Sequence, residues 1–127
     1  MSWQAYVDTS LLQSGNVDKA AIYKVDGSQV WAASAGFSVA PAEMTEVVNA
    51  YKDSSQVFAN GLHVAGERYV VIKADDRSLY GKKGKEGLVI VKTKQTLLFT
   101  HYPEGVNPGS AANTVEVLAD YLIGVGY

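Results

Sequence analysis

The segment Leu88-Val89-Ile90-Val91-Lys92-Thr93-Lys94-Gln95-Thr96-Leu97-Leu98-Phe99-Thr100-His101-Tyr102 contains two apolar runs separated by three polar residues. Both runs, 88–92 and 96–102, have the composition and length of β-strands. The link at 93–95 is far shorter than the dozen or more residues that a parallel crossover needs. This stretch therefore predicts an antiparallel hairpin, and with it an antiparallel sheet.

Runs of the same kind come before this hairpin. Turn signals at Asp26-Gly27 and at Ala65-Gly66-Glu67 each separate two strand-like runs, and Gly81–Gly87 is predicted to be a lysine-rich hairpin loop. The additional strands are predicted at 20–25, 29–34, 62–64, 68–73 and 78–80. We expect one antiparallel sheet of six to seven strands.

Three helices are predicted around this sheet. The first begins at the N-cap Ser2 and stops at Ser14-Gly15-Asn16, and the second opens at Pro41. The third runs from about residue 110 to residue 123, and segments 52–56 and 103–109 are predicted to be loops. The chain is therefore expected to be a single α+β domain, residues 1–127, with a helix at each end.

Composition argues against several classes of function. The 127 residues contain no cysteine, which excludes disulfide and thiolate chemistry, and His63 and His101 have no partners spaced like metal ligands. Gly81–Gly87 lacks the residue order of a phosphate-binding loop, and no DNA-reading motif is present. There is no secretory signal and no run of about 18 apolar residues, so we expect a cytoplasmic protein.

Charge is divided unevenly along the chain. Residues 68–94 carry eight basic and three acidic side chains, a balance of +5, whereas the remainder carries −7, for a net charge of −2. Such a separation could steer an acidic partner to one face. The alternative is that strands simply solvate their outer face with lysine, and charge alone leaves both interpretations open.

Large aromatic residues are concentrated near the two ends of the chain. Trp3, Tyr6, Tyr121 and Tyr127 are terminal, and Trp31 lies in an early predicted strand. Flat rings that carry N–H and O–H donors suit proline-rich segments in the polyproline II (PPII) conformation, which are already extended and keep their carbonyls free. Packing in the core is the competing interpretation.

Four segments resemble the profilin family, and fungal profilins in particular. The opening Met-Ser-Trp-Gln-Ala-Tyr-Val-Asp is similar to the profilin N-terminal signature, and three further matches follow in the same order. The matching segments are 1–8, 30–34, 74–82 and 118–127. The resemblance extends over the whole chain.

This resemblance implies a central antiparallel sheet with helices on both sides, the two terminal helices lying together on one face. It implies no cofactor and no catalysis. It also implies three ligands: monomeric actin, proline-rich segments of proteins such as formins, and phosphoinositides. The expected protein is a cytoplasmic, cytoskeletal monomer that regulates actin polymerisation.

The resemblance also assigns site residues. The proline-binding positions of the family fall on Trp3, Tyr6, Trp31, Tyr121, Leu122 and Tyr127. Its actin-binding positions fall on Ala59, Arg68, Val71, Lys73, Lys82, Val106, Asn107, Gly109 and Asn113. Phosphoinositide binding is expected at Arg68, Lys73, Lys82 and Lys83.

Some positions depart from the family pattern. Asn107 replaces a histidine and Asn113 a lysine of animal profilins, and Ala112 and Val117 replace polar residues, so the helical part of the actin contact is less charged here. Two rival functions remain open at this point. One is a proline-rich or lipid-binding module without actin binding, and the other is a small enzyme that uses His101.

Overall fold

The computed structural model describes residues 2–127. The N-terminal helix α1 is α-helical over Trp3–Ala5, π-helical over Tyr6–Leu11 and 3-10 over Leu12–Ser14. The other helices are α2 (Pro41–Ala50), α3 (Ser55–Asn60) and α4 (Pro108–Gly124). The strands are β1 (Lys19–Lys24), β2 (Val30–Ala33), β3 (Leu62–Val64), β4 (Glu67–Ala74), β5 (Ser78–Lys83), β6 (Glu86–Lys92) and β7 (Thr96–Tyr102).

The seven strands form one antiparallel sheet in the order β2-β1-β7-β6-β5-β4-β3. The predicted hairpin is confirmed as β6 and β7, with Val91 opposite Leu98 and Leu88 opposite His101. These two strands lie in the interior of the sheet, and β1 pairs with β7 although some 70 residues separate them in sequence. Assembly of the sheet therefore depends on one long-range strand pairing in addition to short hairpins.

Each face of the sheet is covered by a different pair of helices. We call the side covered by α1 and α4 the terminal-helix face, where Val89, Val91 and Leu98 pack against Val115 and Leu122 among others. The opposite side, covered by α2 and α3, is the α2 face, with its own core of residues such as Ile90 and Phe99. Alternate residues along each strand point to alternate faces, which separates the two cores. The predicted α+β fold with its paired terminal helices is confirmed.

The predicted loop at Gly81–Gly87 is wrong, because β5 and β6 continue through it. Lys82 pairs with Gly87 and Lys83 with Glu86, leaving a tight turn at 84–85. Glycine at position 87 leaves room for an aromatic ring, because a Cβ there would lie 2.0 Å from Tyr102. The flanking glycines were therefore signals of close packing and not of flexibility.

A short helix, α3, was not predicted, and the loop expected at 52–56 is shorter than proposed. The carboxylate of Asp53 accepts a hydrogen bond from the N–H of Ser55 at 3.0 Å, which starts the helix. Gly61, with φ of 85°, ends it. Six residues are too few to show a helical repeat of apolar positions.

Within residues 2–127, the helices lack the combination of length and apolar composition that crossing a membrane requires.

Candidate functional site

The aromatic residues from both ends of the chain meet on one surface. Trp3 lies at the centre, with ring centroids 4.9 Å from Trp31, 5.0 Å from Tyr127 and 5.6 Å from Tyr6. Tyr121 extends the group, 6.2 Å from Tyr6. We call these five residues the ring surface. The five rings that the sequence predicted to converge are brought together by the fold.

Trp3 is held in place by the start of α1. The Ser2 hydroxyl accepts a hydrogen bond from the N–H of Ala5 at 3.1 Å, so Ser2 is the N-cap that the sequence predicted. The Gln4 amide nitrogen donates to the carbonyl of Ala33 at 3.1 Å and ties α1 to β2. This link fixes the separation of Trp3 from Trp31, which lies on β2.

Tyr127 lies beyond α4, as predicted, and is fixed by the turn between β6 and β7. Its main-chain oxygen accepts hydrogen bonds from the hydroxyl of Thr93 at 2.8 Å and from the N–H of Gln95 at 2.6 Å. The Gln95 side chain also donates to the carbonyl of Gly126 at 2.9 Å. The edge-on packing of the Tyr127 ring against Trp3 therefore depends on residues 93–95.

Exposure differs across the predicted proline-binding set. Tyr121 is 54% exposed, whereas Tyr6 is 9% exposed and Leu122 is 0% exposed. Burial, with the neighbouring Tyr121, raises the pKa of Tyr6 above its ordinary value. Leu122 has no exposed surface and cannot contact a ligand directly. It lies beneath the rings. There it supports them as part of the core.

A second surface lies on the terminal-helix face, beyond the part that α4 covers. Lys82 is paired with Val70 across β4 and β5 and is exposed there. Lys73 projects over the Tyr80 ring, with its ammonium 5.0 Å from the ring centroid. Arg68 donates from Nε to the carbonyl of Asn60 at 2.9 Å. We call Arg68, Lys73 and Lys82 the basic patch.

The other residues of the predicted actin set lie around the start of α4 and on α3. Asn107 is the N-cap of α4, and its side-chain oxygen accepts from the N–H of Ser110 at 3.1 Å. Gly109 and Asn113, in the first half of α4, are exposed, and Val106 is half-buried just before it. Ala59 is exposed on α3, close in sequence to the carbonyl that holds Arg68.

Two predicted residues do not join the basic patch. Val71 is 7% exposed, and its side chain packs into the core on the α2 face. Lys83 follows Lys82 on β5, so it points to the opposite face, where it forms an ion pair with Glu67. The Lys83 ammonium lowers the pKa of the Glu67 carboxyl. The structure therefore divides the predicted phosphoinositide set between the two faces of the sheet.

Sequence reasoning missed two apolar residues beside the patch. Val70 is 57% exposed and Ile72 is 55% exposed, on the strand where Val71 is buried. Alternation along β4 could have identified Val70, because a buried Tyr69 places residue 70 on the other side. Ile72 lies at a bulge between Val71 and Lys73, where the register shifts so that Lys73 is opposite Tyr80. Exposed aliphatic side chains flanked by basic ones are typical of a protein-binding surface.

Both histidines are paired with carboxylates of the protein itself. His101 is 4% exposed, and its ring nitrogens lie 2.5 Å from a carboxylate oxygen of Asp18 and 2.9 Å from one of Glu86. His63 is paired with Glu46 at 3.1 Å. No group of side chains suited to holding a metal ion occurs within residues 2–127. Both nitrogens of His101 are already engaged, which leaves neither for proton transfer to a substrate.

Comparison with known proteins identifies the family. A family model described as Profilin matches residues 1–127. This chain belongs to the profilin family. Profilin-2 of Acanthamoeba castellanii is 54% identical to it over 127 residues, 100% of both chains. The crystal structure of Schizosaccharomyces pombe profilin is 52% identical, has a TM-score of 0.95, and is matched over 99% of this chain and 100% of that one.

A more distant profilin was solved with a ligand. Mouse profilin IIa, in complex with a double repeat from the FH1 domain of mDia1, is 29% identical with a TM-score of 0.83 over 100% of both chains. Profilins are cytoskeleton-associated regulators of actin and are not enzymes. Family membership therefore removes the rival interpretation of an enzyme that uses His101.

Proposed function

We propose that this profilin is an adaptor that holds an actin monomer on one surface and a proline-rich segment on another. The observation that carries the proposal is the packing of Trp3 against Trp31, Tyr6 and Tyr127, which places rings from distant parts of the chain in one group at the surface. A single domain, residues 1–127, acting as a cytoplasmic monomer, suffices for both contacts.

The ring surface is proposed to bind the proline-rich segment through Trp3, Tyr6, Trp31, Tyr121 and Tyr127. Proline rings stack on flat aromatic faces, and a PPII segment loses little chain entropy on binding. Leu122 is proposed to act indirectly, by supporting Tyr121 and Tyr6 from the core. The FH1 repeat bound to mouse profilin IIa supports this class of ligand.

The basic patch and the first half of α4 are proposed to bind actin. Arg68, Lys73 and Lys82 supply positive charge, and Val70 and Ile72 supply apolar area at the same place. Steering by charge and burial of aliphatic side chains then act together. Ala59, Val106, Asn107, Gly109 and Asn113 are proposed to complete the contact, and the neutral residues at 107 and 113 leave most of the charge on the strands.

Phosphoinositide head groups are proposed to bind the same basic patch. Arg68, Lys73 and Lys82 lie on one face and can approach a phosphate together, whereas Lys83 is excluded because it faces away and is paired with Glu67. Lipid and actin would therefore compete. When actin and a proline-rich tail are bound together, actin gains effective concentration near its site of use without any chemical step.

Two reciprocal variants test the proposal. Trp3→Ala should weaken binding of a ten-proline peptide by at least about tenfold, since it removes the central ring, and should leave actin-monomer affinity unchanged. Lys82→Glu should weaken actin-monomer affinity and leave peptide affinity unchanged. Binding is measured by calorimetry for the peptide and by inhibition of pyrene-actin assembly for actin.

Urea unfolding of both variants checks that each remains folded. Full peptide affinity in a folded Trp3→Ala protein would contradict the role of the ring surface. An unchanged actin response in Lys82→Glu would favour the remaining rival, a proline-binding or lipid-binding module without actin.

A further inference from the structure

The end of α3 contains an Asn-Gly pair. Asn60 is the last residue of this helix, and Gly61 follows it. The chain has five asparagines, and only Asn60 is followed by glycine. In such a pair the main-chain nitrogen of glycine can attack the amide carbon of the asparagine side chain, because glycine has no side chain to block the approach. Residues 60 and 61 are therefore suited to forming a cyclic succinimide.

The fold itself requires glycine at position 61. The backbone there has φ of 85°, which side chains rarely allow. A Cβ on this residue would lie 2.7 Å from Nε of Arg68, because the arginine side chain passes close to it. A larger residue, which would slow the attack, is therefore disfavoured at this position.

Arg68 makes the peptide group between Asn60 and Gly61 more reactive. Its Nε donates to the carbonyl of Asn60 at 2.9 Å. A charged donor at the peptide oxygen withdraws electron density from the peptide nitrogen. The nitrogen of Gly61 therefore loses its proton more easily, and this loss is what makes it a nucleophile.

One contact in the native protein opposes the attack. The N–H of Gly61 donates to the carbonyl of Val57 at 2.9 Å, which closes the last turn of α3. This helix has only six residues, and the ends of short helices open at little cost in free energy. Asn60 is exposed, so rotation of its side chain toward the nitrogen meets little packing. The reaction therefore requires opening of one helical turn and not unfolding of the sheet.

We propose that Asn60 is a site of spontaneous deamidation and that its product neutralises Arg68 of the basic patch. The nitrogen of Gly61 bonds to Cγ of Asn60, and the bond from Cγ to Nδ2 breaks. Nδ2 leaves as ammonia and takes the proton that Gly61 loses. Water then opens the succinimide. Its attack at Cγ gives aspartate, whereas its attack at the main-chain carbonyl carbon of residue 60 gives isoaspartate, in which the chain runs through the former side chain.

The isoaspartyl product has its new charge beside Arg68. The main-chain carbonyl carbon of residue 60 becomes a free carboxylate, and its oxygen is the atom that accepts from Arg68 in the intact protein. The acceptor thereby changes from a neutral carbonyl to a carboxylate, and the guanidinium gains an ion pair. The consequence for ligands rests on the proposed function of the basic patch, in which Arg68 contacts actin and phosphoinositides.

Ageing the protein in mildly alkaline buffer tests the proposal. We expect an acidic form to accumulate, which ion exchange separates from the intact protein. Peptide mapping by mass spectrometry should locate isoaspartate at residue 60 and find the other asparagines intact. In NMR spectra of the acidic form, the signal of the Arg68 Nε–H should shift because its acceptor is now charged. None of these measurements depends on a ligand.

Actin binding measures the consequence of the modification. The acidic form should bind actin monomer about threefold to tenfold more weakly than the unaged protein, because one cation of the patch is paired within the protein. Affinity for the ten-proline peptide should be unchanged, since the ring surface is not altered.

Two variants locate the reaction. Asn60→Ser keeps the main-chain carbonyl that accepts from Arg68 but cannot form the succinimide, so it should yield no acidic form and retain its actin affinity on ageing. Asn49→Ser is the matched control, because Asn49 is exposed near the end of α2 and is followed by Ala50. It should age as the wild type does.

Each contrary result is distinct. Absence of isoaspartate from residue 60, or an acidic form that arises equally in Asn60→Ser, would overturn the proposed site. An isoaspartyl form with an unshifted Arg68 signal would overturn the pairing with Arg68, and one with full actin affinity would overturn its effect on the patch. If unaged protein fails to bind actin, the proposed function is wrong, while peptide mapping and NMR still decide the modification and the pairing.

Discussion

Neighbouring lysines on β5 illustrate how one residue of register decides a functional role. Lys82 points to the terminal-helix face beside Val70, whereas Lys83 points to the α2 face and pairs with Glu67. Composition shows only two adjacent cations. The strand period separates them, so that one belongs to the basic patch and the other contributes to the opposite side of the sheet.

Replacing each lysine by alanine should therefore give different results. Lys82→Ala is expected to weaken binding to vesicles that contain phosphoinositide, and to actin, by about threefold to tenfold, because an unpaired cation is lost from the patch. Lys83→Ala should leave both affinities unchanged. Vesicle co-sedimentation and actin-monomer titration measure the two effects, and equal losses in the two variants would contradict the assignment of faces.

Thr93 is a buried residue that we expect to affect ligand affinity without touching ligand. Its hydroxyl donates to the main-chain oxygen of Tyr127 and accepts from the N–H of Thr96 at 3.0 Å. Thr93→Val should cost about 1–2 kcal/mol of stability, because buried groups lose their partner. It should also weaken proline-peptide binding about threefold, since Tyr127 loses one of the hydrogen bonds that hold it against Trp3.

Thr96→Val is the matched control for Thr93. The Thr96 hydroxyl bonds to the Thr93 hydroxyl at 2.5 Å and does not reach Tyr127. Its loss should lower stability, measured by urea unfolding, while peptide affinity is retained. A purely structural role for Thr93 would give the same peptide affinity in both variants.

At the scale of elements, two carboxylates of α4 join it to the start of β5: Asp120 pairs with Arg77 at 2.8 Å, and Glu116 makes the larger set of contacts. Glu116 accepts hydrogen bonds from Arg77 Nε at 3.0 Å, from the Ser78 hydroxyl at 2.7 Å and from the hydroxyl of Tyr80. This helix carries both Asn113, one of the proposed actin contacts, and Tyr121 of the ring surface. The contact therefore sets the position of α4 for both proposed sites.

Glu116→Ala should destabilise the protein by about 2–3 kcal/mol, because the buried hydroxyl of Ser78 and the half-buried hydroxyl of Tyr80 both lose their acceptor. Glu104→Ala is the control: Glu104 forms an exposed ion pair with Lys85 at 3.5 Å, and its loss should leave the free energy of unfolding unchanged within error. Urea unfolding at neutral pH compares the two. Similar stabilities would show that the Glu116 contacts do not anchor α4.

Elements with a long regular pattern could be predicted from the sequence, and short or irregular ones could not. The runs that became β6 and β7 were identified because apolar composition and a brief link act locally. Helix α3 was missed because six residues carry little periodicity. Burial of Val71 escaped the family-based assignment, because a family pattern names positions without saying which face a side chain occupies.

The ring surface was only partly predictable from the sequence. Residue type and family resemblance predicted which five rings meet. The hydrogen bonds from Thr93 and Gln95 to the C-terminal residues were not predicted, because they join residues more than 30 positions apart. Local sequence carries no signal for such contacts.

For the molecule as a whole, buried tyrosines should make the fold sensitive to alkali. Burial raises the pKa of Tyr69 to about 12, and burial with the Glu116 contact raises the pKa of Tyr80 to about 12. In the unfolded chain these hydroxyls ionise near pH 10. Between about pH 10 and pH 12 the unfolded chain therefore binds fewer protons than the native protein, so stability is fully present below pH 10 and falls as pH rises.

Tyr69→Phe should reduce this loss, because it removes one group that ionises only on unfolding. Comparing free energies of unfolding at pH 7 and pH 11 for the wild type and the variant measures the effect. We expect a smaller difference between the two pH values in Tyr69→Phe. The same difference in both proteins would show that Tyr69 does not contribute to the alkaline sensitivity.

The contact between the rings of Trp3 and Tyr127 has a consequence for biosynthesis. A ribosome makes Trp3 among the first residues, yet the residues that complete its surroundings, 121–127, are synthesised after every strand of the sheet. A nascent chain that still lacks them can have no complete ring surface, and β1 must also wait for β7 before it gains its neighbour. Proline-rich partners would therefore be ignored during translation and recognised only by the finished molecule, so capture of such partners reports on completed folding.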